Sequence, residues 1–119
     1  MIESLYSEQC QAPFPYISPL DFDDLDKHSI CAYIIDLDLA GTISSYLHSI
    51  KENKSIKMET YHYMEQARND LEFLLQIIND YAYDYFYDWY ILSNLVLDKI
   101  KNNPEIVENS SLLSVGSDS

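Results

Sequence analysis

The sequence predicts a mainly α-helical fold. It places a small helical core over residues 30–109, an irregular, acidic, proline-rich lead-in over 1–29 and a flexible tail over 110–119, all in one domain. Three observations carry that expectation. Apolar residues recur every three or four positions from Leu39 onward, and three of the four prolines fall before residue 20. At 119 residues the chain is long enough for one buried core but too short for a catalytic domain with a separate cap or cofactor module.

The lead-in contains QAPFPYISPLDFDD, where Pro13, Pro15 and Pro19 each remove a backbone donor and restrict the preceding residue. The next run, ICAYIIDLDLA, reads equally as a short buried strand or as the opening of a helix over Ile30 to Leu39. A strand there needs a partner, which only PYISPL or SLLSV offers, so an α+β fold with one short strand pair is the alternative. From Leu39 the spacing of Leu39, Ile43, Leu47 and Ile50 is helical, with Lys51 and Lys54 suited to a helix C-terminus. Beyond Met58, a stripe of Met64, Ala67, Leu71, Leu74, Leu75 and Ile78 nearly continues through Ala82, Phe86, Trp89, Val96 and Ile100. Unbroken to Asn102, such a helix would be about 65 Å long, so a break is expected near Asn79 to Asp84. Pro104 ends the last helix, and ENSSLLSVGSDS reads as a Ser-rich tail.

Twenty acids against seven bases give a net charge of −13, while 47% of residues are hydrophobic, too many for an acidic disordered chain. The chain is expected to fold against its own repulsion. Direct binding to nucleic acid or to an anionic membrane is disfavoured, and the expected partner is basic. Residues 1–38 carry eight acids and one base, residues 39–79 five and four, and residues 80–119 seven and two. The field is therefore concentrated at the two ends of the sequence. Cys10 and Cys31 form no CxxC pair, which points to a reducing, cytoplasmic setting. Neither a secretory leader pattern nor an apolar stretch of spanning length is visible.

Within DYAYDYFYDWY, Asp80, Asp84 and Asp88, together with Asp98, fall within about 80° on a helical projection and nearly opposite the apolar stripe. Like charges at i, i+4 destabilise a helix by a few tenths of a kcal/mol per pair, and no lysine is interleaved to relieve them. A solvated face, with Asp84 or Asp88 capping a helix after the break, is the plain alternative. Ile91 and Leu95 project toward the same side. Tyr85 reads as core packing, whereas Tyr83 and Tyr87 lie beside the aspartates, where rigid rings suit contact with arginine and lysine. DFDDLD supplies a second cluster, Asp21, Asp23, Asp24 and Asp26. It fails as a calcium loop because Asp26 stands where glycine is needed and no Glu occupies position twelve. His28, His48 and His62 share no ligand spacing, and no phosphate loop or recognisable nucleophile setting occurs. The chain is therefore expected to be neither an enzyme nor a binder of metal or cofactor.

Two resemblances accompany these residues. YIIDLDLAGTI resembles the nucleophile motif of haloacid-dehalogenase-like phosphatases, in which two aspartates spaced like Asp36 and Asp38 attack phosphorus and exchange protons. That family sets Gly-Thr directly after the second Asp, whereas Leu39 and Ala40 intervene here before Gly41 and Thr42, so the segment reads as a buried run ending in acids. In size, acidity and wealth of tyrosines, the whole chain is similar to small bacterial and phage proteins that mimic DNA. That resemblance implies an inhibitor whose carboxylates occupy the basic groove of a DNA-binding protein: a histone-like protein, transcription factor, restriction enzyme or CRISPR effector. Its contacts would be Asp21, Asp23, Asp24, Asp26, Asp80, Tyr83, Asp84, Tyr87 and Asp88, provided both clusters share one side. An immunity protein against a basic nuclease toxin, or a helical scaffold or adaptor, are the alternatives; monomer or dimer is left open.

Overall fold

The computed structural model describes residues 1–108, and the expected tail and its SLLSV segment lie outside them. Five helices follow in chain order: α1 (Ile2–Gln11), α2 (Pro19–Lys27), α3 (Ala32–Lys51), α4 (Met58–Leu74) and α5 (Asp80–Asn102), with a 3-10 turn at Pro104–Ile106. The fold is mainly α, as the periodicity predicts. A single parallel bridge between Ile56 and Val107 is the only β contact among the described residues, so Ile30–Leu39 and PYISPL form no strand pair.

The lead-in differs most from expectation. The long irregular stretch is 12–18, a turn occupies 28–29, and helices form most of the rest of 1–29. The prolines explain where the irregularity falls. Pro13 and Pro15 lie just beyond the C-terminus of α1, while Pro19 is the first residue of α2, where its missing N–H has no helical partner to lose. Ser18 caps that helix, its Oγ accepting from the Asp21 N–H at 3.2 Å.

Both α2 and α3 end in the same way. Ile30 N–H donates to the Leu25 carbonyl and Ser29 N–H to that of Asp26, with Ser29 at φ 58°; Lys54 and Asn53 repeat the pattern on Ser49 and Ile50, with Asn53 at φ 57°. These are paired six-to-one and five-to-two closures around a left-handed residue, a role that glycine fills without strain. The closure after α2 lets α3 start at Ala32, so Ile30–Leu39 is mostly the opening of a helix. Its buried residues are Ala32, Ile35, Leu39, Thr42, Ile43 and Tyr46, while Leu47 is half-buried and Ile50 exposed.

The link 52–57 returns the chain so that α4 packs along α3, their most extensive contact, with Asp38 near Asp70 and Ser45 near Thr60. Met64, Ala67, Leu71 and Leu74 bury the inner face of α4. The expected break lies just upstream of its predicted position, at Leu75–Asn79. There the last turn tightens to Gln76→Phe73 and Ile77→Leu74 hydrogen bonds, Asn79 is extended, and Asp80 takes φ 58°. Neither Asp84 nor Asp88 caps α5: the helix begins four residues before Asp84, after Asn79. Ala82, Phe86, Trp89, Val96 and Ile100 are all buried, and each large side chain contributes about 1.5–3 kcal/mol by leaving water. No single described helix is long and apolar enough to cross a membrane; α2 and α3 reach that apolar length only together, across a 76° bend.

The left-handed position at Ser29 yields a test. Ser29→Gly relieves a backbone strain of about 1 kcal/mol and raises the thermal midpoint by about 4 °C or more, whereas Ser29→Val, branched at Cβ, lowers it. Calorimetry of the two variants checks both signs.

Candidate acidic interface

The packing of a few aromatic rings decides where the acidic residues stand. Phe14, in the link between α1 and α2, stacks on Tyr33 at 4.5 Å and meets Tyr85 and Phe86 edge-on at 5.9 and 5.8 Å. Phe22 of α2 stacks on Tyr33 at 6.0 Å, and His28 at its C-terminus lies 4.7 Å from Phe73 in the last turn of α4. Leu25 is buried beneath them. These contacts hold α2 over the end of the bundle where α3 begins, α4 finishes and α5 begins. Both acidic clusters therefore occupy that end.

On α2, Asp23, Asp24 and Asp26 are exposed and Asp21 is half-buried in the first turn, where the positive end of the helix dipole favours a carboxylate. Only Asp24 has a basic neighbour, Lys27 at 3.7 Å, an exposed pair that contributes little. On α5, Asp80, Asp84 and Asp88 are exposed, and none is among the ion pairs of the described residues. Tyr83 and Tyr87 stack on each other beside them, with ring centroids 5.9 Å apart and planes 11° from parallel, 38% and 42% exposed. Asp98 stands ten residues further along α5, about 15 Å from Asp88 by helical rise, and does not join the cluster.

Asp88 is the least outward of the three. It lines a groove between α1 and α5 with Glu8, Gln9, Ile91 and Leu92, and desolvation there, followed by repulsion from Asp84, raises its carboxyl above the usual range. Asp38 is raised in the same way, by desolvation and then by Asp70 across the α3–α4 contact. The ridge is thus two freely exposed aspartates followed by one turned partly toward α1.

The sequence does not reveal what Asp36 does. Its Oδ1 accepts from the Tyr85 hydroxyl at 2.6 Å and from the Trp89 indole N–H at 2.8 Å, joining α3 to α5. Burial, with the bond to Asp36 next in importance, pushes the Tyr85 hydroxyl far above its ordinary range. Gln9 of α1 donates to the Tyr85 carbonyl at 3.0 Å, so three helices meet at this tyrosine. Asp36 faces α5 while Asp38 lies near Asp70 and lines a surface hollow with Thr60 and Tyr63 of α4, so the two aspartates do not converge on one substrate as a phosphatase pair would. No signal short of tertiary contact could have found this role, because the partners lie 49 and 53 residues away.

The remaining candidates stay apart. His28 follows the last residue of α2, His48 and His62 lie on α3 and α4, and His62 is 3.5 Å from Glu65 on its own helix. Among the described residues no three His, Cys, Asp or Glu side chains are placed to hold a metal ion. Cys10 and Cys31 are free and exposed. A polar groove of about 530 Å³ between α3 and α4, lined by Ser44, Ser45, His48, Ser49, Lys57 and Thr60, escaped notice in the sequence because its residues come from two helices and the link between them. No protein-family model matches the chain, and no curated protein or solved structure matches it at a significant level.

Two tests follow from the buried carboxylate and the raised ones. Asp36→Ala leaves two buried donors unpaired and lowers stability by about 2 kcal/mol or more, whereas Asp36→Asn, which keeps an acceptor oxygen, costs less; urea unfolding distinguishes them. For Asp88, the folded carboxyl binds its proton at higher pH than the unfolded one, so its ionisation opposes folding at neutral pH. That opposition fades as pH falls from the raised folded value toward the ordinary carboxylate value. Asp88→Asn raises the neutral-pH midpoint and flattens this part of the stability profile, measured by thermal melts between pH 4 and pH 7.

Proposed function

We propose that this chain is an acidic DNA mimic, which occupies the basic DNA-binding surface of another protein and blocks or modulates its access to DNA. The observation that supports the reading is that α2 and the start of α5 belong to the same end of the bundle and carry Asp23, Asp24, Asp26, Asp80 and Asp84 exposed and Asp21 half-buried, with Lys27 the one lysine in the two segments. A helix selected for stability alone would alternate signs, since like charges at i, i+4 weaken it. With Lys27 beside Asp24 as their one ion pair among the described residues, the carboxylates are available to a partner's arginines and lysines.

Duplex DNA carries about one charge per 1.7 Å of axis, so a single aspartate ridge is too sparse to imitate it. Two elements are needed, and in this reading α2 and the first turns of α5, at the same end of the bundle, provide them. The stacked Tyr83 and Tyr87 add flat ring faces for cation contact between the carboxylates. Asp88 joins as a rim residue. The chemistry required of the partner is a dense row of arginine and lysine; a histone-like protein, a transcription factor, a restriction enzyme or a CRISPR effector each presents one. The compartment that fits is the cytoplasm, where such partners work.

A competition assay tests the reading, with a labelled duplex bound to a histone-like protein and this chain as competitor. Displacement is expected, falling steeply between 50 and 200 mM salt as an interaction built on several charges must. Combined Asp23→Asn, Asp24→Asn and Asp26→Asn substitutions, and separately Asp80→Asn with Asp84→Asn, each weaken it at least tenfold; Tyr83→Ala with Tyr87→Ala weakens it less. Across a panel of basic DNA-binding proteins, an absence of displacement at low salt overturns the proposal.

A further inference from the structure

The outer face of α3 contradicts the rest of the molecule. Ile34, Leu37, Gly41, Ser44, Ser45 and His48 fall within about 100° on the helix, all are exposed, and none is a carboxylate or a lysine. Ile34 and Leu37 are 57% and 68% exposed, and Tyr33 beside them 53%. Of the two acids of this helix, Asp36 is bound to Tyr85 and Trp89, and Asp38 stands half-buried at the edge of the face, where it lines a shallow hollow with Leu37, Gly41 and Ser45. In a chain with twenty acids, one face over about four helical turns has no charged side chain in its central row and leads with two bare aliphatics.

Gly41 supplies an independent observation. Glycine inside a helix is destabilising relative to alanine, and it is usually kept where another backbone must approach closely. Here a Cβ built on Gly41 would meet nothing within 4 Å. Among the described residues, nothing calls for its absence. Its retention fits a surface that approaches from outside the monomer.

We infer that the outer face of α3 is a self-association surface on which a second copy of this chain packs, α3 against α3. Charge selects this occupant. Two copies, each at −13, repel wherever acidic surfaces meet, and residues 39–79, which include most of α3 and all of α4, are the one portion close to neutral. A basic partner has no carboxylate to engage in this central row and is drawn instead to α2 and α5. A two-fold contact uses the same patch twice. With the helices antiparallel and the axis near Gly41, the two backbones approach at Gly41, Leu37 of each copy lies against Ser45 of the other, and Ile34 lies against His48, so the whole row pairs with itself. The row from Ile34 to His48 is about 21 Å long by helical rise, well short of a standard interface of about 800 Å² per partner even when Tyr33 and Tyr63 widen it. The dimer is therefore of the weak, micromolar class.

This inference is independent of the proposed function, and the sign of its salt dependence separates the two. Sedimentation equilibrium of the full chain is expected to give a mass rising from monomer to dimer with concentration, and the dimer strengthens with added salt because repulsion is screened. Leu37→Glu weakens association at least tenfold. Gly41→Leu does the same while raising the thermal midpoint of the monomer, so a loss of dimer cannot be ascribed to misfolding. A monomeric mass at every concentration and at high salt overturns the inference, as does a dimer that both substitutions leave intact.

Discussion

One carboxylate organises this fold. Asp36 on α3 receives the hydroxyl of Tyr85 and the indole N–H of Trp89 on a single oxygen, and both rings are otherwise surrounded by apolar packing. Buried aromatic donors without an acceptor are expensive, so the pair determines the rotation of α5 about its own axis. That rotation has a further effect. With Tyr85 and Trp89 turned inward, Asp80, Asp84, Tyr83 and Tyr87 are left facing water. The acidic and aromatic display is thus the reverse side of an internal hydrogen-bonding constraint. Gln9 binds α1 to the same turn, and Phe14 carries the link to α2 across it.

Electrostatic repulsion is the opposing influence. The described residues contain few bases near their acids, and the raised Asp38 and Asp88 carboxyls record where repulsion and burial coincide. Apolar burial must outweigh this, and the core from Ile17 to Val107 runs through every helix except α1, which contributes the partly buried Ile2, Leu5 and Tyr6. A chain that carries unrelieved charge at one end of its bundle and none along the central row of the outer face of α3 has two chemically distinct surfaces. They suit different kinds of partner, one cationic and one apolar.

Much of this architecture is legible in the sequence where helical periodicity is clean. The stripes of α4 and α5 project as the spacing of Met64, Leu71, Phe86 and Val96 requires, and the length limit places their break within a few residues of its true position. Legibility fails at α1 and α2 because three prolines dominate the reading, although Ser18 followed by Pro19 is itself a helix-start signal. It fails for the first turns of α3 for a different reason: Ile34 and Leu37 are exposed, so apolar residues lie on every side and erase the period. The acidic clusters are visible as composition, but that Asp88 leans into the α1–α5 groove is not. Nor can the sequence expose Asp36 as an internal acceptor, since that role depends on contacts made half a chain away.

The most direct measurement is a map of backbone amide shifts in the labelled protein as an arginine-rich peptide is titrated in at low salt. The account predicts perturbation concentrated on residues 20–27 and 80–88 and abolished by added salt, with 34–48 of α3 unmoved. Shifts spread evenly around the bundle, or centred on α3, would contradict it.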